Sequence, residues 1–205
     1  DVTVTAQKSE EKLRKVPISV TAFDESDMED KQISNLGDIA KFTPNLLLYN
    51  TGQQGLTWPS VRGISANISP LSTPVALYVD GIAYMNSFGY GDELEDIERI
   101  EILRGPQGSL YGANSQSGVI NVISKKPDNE TGAKATAKIG NKGRLDISAN
   151  AAGAIVKDVF YIGVSAKHTQ KDGFIKDAHS GNITNDKKSD YAKIYLRYTP
   201  KDDLE

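Results

Sequence analysis

The sequence predicts an α+β domain followed by a run of antiparallel strands. Two observations predict it. Up to about residue 127, short apolar runs, helical turns and Gly/Pro/Asn punctuation alternate without a fixed period. Beyond that point, four successive segments alternate strictly between apolar and polar side chains, which places each set on one side of a pleated strand.

In the first part, residues 16–23 read as a strand, and Pro17 near its start marks an edge. The acidic stretch 24–30 opens a short helix, because negative charge suits a helix N-terminus. Ser34 is placed to cap a second helix through Phe42, with Leu36, Ile39 and Ala40 on one face and Thr43-Pro44 as its stop. Residues 46–49, 61–64, 75–79, 100–103 and 119–124 are short strand candidates. Asp80-Gly81 signals a turn, and 92–99 a helical turn.

In the second part, Ala133, Ala135, Ala137 and Ile139 oppose Lys134, Thr136 and Lys138. Leu145, Ile147, Ala149 and Ala151 oppose Arg144, Asp146, Ser148 and Asn150. Segments 159–167 and 191–198 repeat the pattern with Phe160, Ile162, Val164, Ala166 and Ala192, Ile194, Leu196, Tyr198. A tight hairpin turn at 141–143, a short turn at 153–158 and a long polar loop at 169–190 connect them. The pattern alone fits a half-buried soluble meander or a transmembrane barrel wall. The weakness of the barrel signal in any single strand favours the meander.

Composition excludes several functions. The 205 residues contain no cysteine, which removes disulfides, thiolate metal sites and a cysteine nucleophile. A net charge of −3 argues against a duplex nucleic-acid partner, which requires a basic face. His168 and His179 are too few for a histidine-rich metal site. No run approaches the ~18 apolar residues of a membrane helix. No basic-then-apolar leader precedes Asp1, so the expectation is that any secretory signal has been removed. Enzyme motifs such as GxSxG and HExxH are absent, and no enzyme or cofactor is expected. Gly105-Pro-Gln-Gly108 lacks the Lys-Ser/Thr of a phosphate loop and reads as a structural turn. Asp24, Glu25, Asp27, Glu29 and Asp30 read as a solvated helix face, and Glu98 and Glu101 as surface charges beside Arg99. Asn67, Asn129 and Asn182 open sequons of a kind that chance supplies.

One stretch is distinctive. Arg99-Ile-Glu-Ile-Leu-Arg104-Gly-Pro-Gln-Gly-Ser-Leu-Tyr111-Gly112, continued by Gly118-Val-Ile-Asn-Val-Ile-Ser-Lys-Lys-Pro127, resembles the hallmark of TonB-dependent outer-membrane receptors. Val16-Pro-Ile-Ser-Val20, Ser60-Val-Arg62-Gly63 and Tyr78-Val-Asp80-Gly81 follow the family's order. Asp1-Val-Thr-Val-Thr-Ala6 resembles its TonB box. Among subtypes the chain looks most like the ferric-siderophore group that includes yersiniabactin/pesticin receptors. The resemblance implies an N-terminal segment (1–15), an α+β plug domain with a small mixed sheet and short helices (16–127), and the first four antiparallel strands of an incomplete transmembrane β-barrel (128–205). It reverses the preference for a soluble meander. A plugged barrel of about 22 strands needs roughly 9–11 residues per strand. The residues after 127 cannot supply that, so the expectation is a piece of a longer protein.

The resemblance also implies function: import of a ferric siderophore across the bacterial outer membrane, with energy delivered by the periplasmic partner TonB and lipid around the complete barrel. Asp1, Val2, Thr3, Val4, Thr5 and Ala6 would be the TonB box, able to add as a strand to its partner. Arg62 and Arg104 match arginines that lock the plug to barrel glutamates. With those partners beyond this chain, they are expected exposed, or paired with Glu98, Glu101 or water. Gly105 and Gly108 would serve a turn where a side chain does not fit. Ligand contacts are expected on outward loops at 49–58, 65–73 and 84–90, from Tyr49, Trp58, Met85, Phe88 and Tyr90 with Asn50, Gln53, Gln54 and Asn67. Iron would be held by the chelate and not by protein ligands. The alternatives are a periplasmic plug-fold sensing module without transport, or a receptor for cobalamin or an oligosaccharide.

Overall fold

A computed structural model describes residues 3–5, 8–9, 11–50, 56–65, 73–84, 90 and 94–200. In chain order, Thr3–Val4 (β1) pairs with Glu11–Lys12 (β2), and a 3₁₀ turn, Leu13–Lys15, follows. Next come Ser19–Asp24 (β3), Glu25–Asp30 (α1), Leu36–Ala40 (α2), Leu46–Asn50 (β4), Thr57–Val61 (β5) and Ile64–Ser65 (β6). Val75–Val79 (β7), Ile82–Tyr84 (β8), Ile97–Arg104 (β9), Gly108–Tyr111 (α3) and Gly118–Ser124 (β10) complete the first of two units, Asp1–Ser124.

Strand β9 from Ile100 to Leu103 and nearly all of β10 are buried at consecutive positions, so both of their faces require cover. They pair antiparallel at the centre of a five-stranded sheet of order β3-β9-β10-β7-β8, and the β10–β7 pairing is parallel. Ile100, Ile102 and Ile120 face one core with Phe23, Val75, Leu77, Met28 of α1 and Leu36 and Ile39 of α2. Leu103, Val119 and Ala76 face a second core with Tyr111 and Val4. Strands β4, β5 and β6 form a separate three-stranded sheet whose Leu46 and Val61 join the first core.

Local chemistry sets the boundaries. Asp24 caps α1 by accepting the Asp27 N–H at 2.9 Å, a bond that holds its carboxyl below the usual range. Asn35, not Ser34, caps α2 through the Asp38 N–H at 3.1 Å, while the backbone N–H of Ser34, one residue before the cap, donates to the Asp38 carboxylate at 3.1 Å. The helix ends at Ala40, two residues short of Phe42. Asp80 and Gly81 both have positive φ, the geometry of a tight type I′ hairpin, and so β8 follows β7 where the sequence suggested only a turn. The strand expected at 61–64 is split, because Arg62 and Gly63 take left-handed φ and turn β5 into β6. Residues 94–96 are not helical, and β9 begins at Ile97.

The second unit, Lys125–Glu205, is a four-stranded antiparallel sheet of Gly132–Gly140 (β11), Arg144–Val156 (β12), Phe160–Lys171 (β13) and Lys187–Tyr198 (β16). Its strands run longer than the alternation suggested, because pairing continues through 153–156 and 169–171. The intervening loop carries its own small hairpin, Ile175–Lys176 (β14) with Ile183–Thr184 (β15).

Ile102 is fully buried and Ile82 is 71% exposed. Ile102→Ala should therefore lower unfolding free energy by about 2–5 kcal/mol, and Ile82→Ala by less than about 0.5 kcal/mol. Urea denaturation followed by Trp58 fluorescence measures both.

Candidate functional site

The N-terminal segment is docked on the sheet. Val4 has no exposed surface and sits in the second core beside Leu103, Tyr111 and Val119. Thr5 donates its backbone N–H to Glu101 Oε1 at 2.7 Å, and its hydroxyl lies 3.2 Å from the same oxygen. Lys8 Nζ stands 5.4 Å and 5.0 Å from the ring centres of Tyr78 and Tyr111, a cation–π contact with both. Those rings meet edge to face at 5.1 Å, and Tyr78 donates its hydroxyl to the Tyr111 carbonyl.

Glu101 holds this arrangement. It is wholly buried, contrary to its reading as a surface charge. A buried carboxylate is tolerated only when charge and lone pairs are met. Arg99 Nε donates to Oε1 at 2.9 Å, and Asn121, its register partner on β10, donates to Oε2 at 3.3 Å. Arg99 also pairs with Glu98. A charged residue inside the apolar run Ile100–Leu103 was the available signal for a buried carboxylate.

The two candidate lock arginines lie near one another in the chain trace. A Cβ on Gly105, the residue after Arg104, would lie 3.4 Å from Arg62 Nη1, and Gly105 has a φ of +119° that favours glycine. Gly108 has open space around it, so no steric demand for glycine operates there. Arg104 pairs with neither Glu98 nor Glu101. Its Nη1 donates to the Pro44 carbonyl at 3.4 Å, and its buried Nε has no hydrogen-bond partner. Arg62 is exposed with a left-handed φ of 53°.

Of the expected ligand contacts, Tyr49 and Trp58 are cross-strand partners on β4 and β5, with ring centres 6.4 Å apart. Tyr49 and Asn50 are exposed, and the buried Trp58 Nε1 lacks an acceptor. Tyr90 corrects the expectation of an outward contact. It is buried in the first core, and its hydroxyl meets Thr73 Oγ and the Val75 carbonyl. An aromatic ring with a satisfied hydroxyl packs there instead of presenting a surface. Asp1, Val2, Ala6, Gln53, Gln54, Asn67, Met85 and Phe88 lie outside the described residues.

In the second unit, the registers gather the apolar residues on one face and the polar residues on the other. The exposure is the reverse of a soluble sheet. Ile139, Ile194, Leu196 and Tyr198 are 61–87% exposed, whereas Tyr161, Asp146, Ser165 and Thr169 on the polar face are buried. Among the described residues no helix is long and apolar enough to cross a membrane, which leaves strands as the elements to consider. Among the same residues, no group of three or more His, Cys, Asp or Glu could hold a metal ion.

Residues 12–119 match the TonB-dependent Receptor Plug Domain family. The chain belongs to that family. Across 90% of its length it is 26% identical to the pesticin receptor of Yersinia pestis, and it covers 28% of that protein. It is 31% identical to the catecholate siderophore receptor Fiu of Escherichia coli K12 over 63% of the chain and 17% of Fiu. The ferric yersiniabactin uptake receptor FyuA from Y. pestis is similar in structure, with a TM-score of 0.85 and 26% identity over 90% of the chain and 29% of FyuA. The chain thus spans little more than a quarter of the pesticin receptors it matches. The likeness extends beyond the plug match, so the four-stranded sheet is antiparallel barrel wall by fold, unclosed within this chain.

The plug's docking surface carries a titratable reporter. Burial, with lesser contributions from the charge of Glu101 and from Tyr78, pushes the Tyr111 phenol up to about 12 from its ordinary value of 10.0. A folded pKa raised above the unfolded one contributes stability that is intact below pH 10.0 and is lost as pH rises toward about 12. The urea midpoint should fall across that window, and Tyr111→Phe should flatten the fall. Parallel titrations of the two proteins measure the difference.

Proposed function

We propose that the chain is the plug and first wall strands of a TonB-dependent transporter that binds ferric siderophores and imports them across the bacterial outer membrane. The observation that carries this reading is the inverted wall. A sheet with its apolar face exposed and its polar face buried is built for lipid outside and a polar lumen within. A plug-fold sensing module without a barrel has no use for such a face. The likeness to the catecholate siderophore receptor Fiu and to the ferric yersiniabactin uptake receptor FyuA supports a ferric siderophore as cargo.

Each site then has a task. Residues 1–6 form the TonB box, whose extended Val/Thr backbone adds as a strand to TonB once it leaves the plug. Glu101 retains that segment through Thr5 until ligand binding shifts the balance. Arg62 and Arg104 receive barrel carboxylates, and the orphaned Arg104 Nε supports a missing bidentate partner. Tyr49, Asn50 and Trp58 offer stacking and an indole N–H to the chelate, joined by Gln53, Gln54, Asn67, Met85 and Phe88. The chelate's organic shell holds the iron, so the protein supplies recognition and gating.

The decisive test is uptake of radiolabelled ferric chelates by cells expressing the complete receptor. Uptake that disappears without TonB supports the proposal, and uptake that persists without it refutes the coupling. Val4→Pro should abolish capture by the periplasmic domain of TonB, and unchanged capture would remove the segment from the mechanism. Glu101→Gln weakens the charged contacts to Thr5 and Arg99, each worth about 1.5–3 kcal/mol. Exchange of the Thr5 amide should accelerate about tenfold or more, as hydrogen-exchange mass spectrometry of the N-terminal peptide would reveal.

A further inference from the structure

The Thr5 anchor is one end of a longer dock. Glu101 on β9, Asn121 on β10 and Tyr78 on β7 stand in register as one rung of the five-stranded sheet. Adjacent strands lie about 4.8 Å apart, so the ends of the rung are about 10 Å from each other. Glu101 at one end accepts the Thr5 N–H. At the other end Lys8 stands over the Tyr78 ring. A turn closed by the Lys8 N–H on the Thr5 carbonyl, at 2.8 Å, spans the interval. Lys8 holds a left-handed φ of 63°, which a lysine seldom takes and which persists where the surroundings impose it.

The surface that receives the ammonium is itself held rigid. Tyr111 is buried, and the Tyr78 hydroxyl on its carbonyl fixes the two rings edge to face. Lys8 Nζ therefore meets a preformed pair of rings and is attracted by both. Tyr78 and Tyr111 come from separate stretches of the chain and form this cage only in the fold.

We propose that Lys8 is a positioning residue for coupling: its ammonium, caged by Tyr78 and Tyr111, keeps the N-terminal segment docked alongside Glu101, and the segment reaches TonB only when both contacts open. The inference rests on the transporter reading above, which makes residues 1–6 the segment that TonB takes. The two contacts read different things. Glu101 takes a backbone N–H, which every residue but proline supplies. The cage takes a side chain and demands a cation. Because a short turn joins them, either contact that opens alone is returned by the other at high effective concentration. Removing the cation leaves the backbone contact to hold the segment unaided.

The test uses the complete receptor in unmodified, Lys8→Met and Lys8→Arg forms. Lys8 is exposed, so neither substitution disturbs a core. Methionine keeps an unbranched chain without charge, and arginine keeps the cation and stacks on aromatic faces. Without cargo, hydrogen exchange of the N-terminal peptide should run about fivefold faster or more in Lys8→Met and unchanged in Lys8→Arg. Capture by the periplasmic domain of TonB should tighten by a similar factor in Lys8→Met alone, because a larger fraction of the segment is free to bind. In a Tyr78→Leu background the Lys8→Met effect should vanish, as a double-mutant cycle reads. If Tyr78→Leu fails to fold, the comparison of methionine with arginine still decides. Exchange and capture equal in Lys8→Met and the unmodified receptor overturn the cage and leave the transporter reading intact. So does an equal acceleration in Lys8→Arg, or a Lys8→Met effect that persists in full without the Tyr78 ring. Capture of none of the three forms overturns the transporter reading, while the exchange comparison still judges the cage.

Discussion

A carboxylate buried in the middle of a sheet constrains everything around it. Glu101 lies on β9, the strand that β3 and β10 flank, and on the face that holds the second core. An unpaired charge there would cost several kcal/mol. Its surroundings are therefore determined: Arg99 two residues earlier on the same face, Asn121 opposite it in register, and Thr5 from nearly a hundred residues away. The last of these converts a local electrostatic demand into long-range structure. The N-terminal segment supplies a backbone donor, and Val4 closes the apolar surface beside it.

The two units meet different solvents by opposite rules. The first buries apolar residues on both faces of its sheet. The second exposes Ile139, Ile194 and Leu196 and buries Asp146 and Ser165. Within one chain, that reversal is the physical mark of a change in environment. The four strands pair in continuous registers with one irregularity between Ala154 and Val156, whereas among the described residues no strand pairs with the outer edge of β11 or β16, and an open edge is intolerable in hydrocarbon. The sheet thus requires further strands beside it before it can meet lipid.

Much of this was legible in the residues. Period two located all four wall strands and sorted their faces correctly, because a pleated strand has no other way to place alternate side chains. The runs at 100–103 and 119–124 located the central strands for the same reason, their apolar density leaving no polar face to expose. What stayed hidden depended on distant partners. Nothing local to Glu101 says that Thr5 will reach it, and nothing local to Tyr90 says that Thr73 and Val75 will bury its hydroxyl. Cap and turn boundaries slipped by a residue or two because Ser34 and Asn35 are both competent caps, and because Arg62 adopts a left-handed conformation that its residue type seldom favours. The inverted exposure of the wall was invisible in the alternation itself, which is identical whether the apolar face turns inward or outward, and was expected only from the resemblance carried by the plug residues.

The energetics of the N-terminal segment suit a part that can be released. Burying Val4 contributes about 1.5–3 kcal/mol, and the Thr5 hydrogen bond to a charged acceptor about as much again. Against these stands the ordering of the segment's backbone, about 1–2 kcal/mol per residue. The β1–β2 pairing is only two residues long and adds little beyond itself. The net hold is small compared with the stability of a folded domain, which lies near 5–15 kcal/mol. A partner that pairs with the same backbone edge replaces the lost strand contacts as it forms its own, leaving chiefly the Glu101 contact and the Val4 pocket to be overcome. A segment held by several fully buried side chains would remain docked whatever the partner offered, and one held by none would be available at all times. Among the described residues, one buried valine, one charged hydrogen bond and the Lys8 contacts with two rings place this segment between those limits, where a modest change elsewhere in the plug can decide whether it is bound or free.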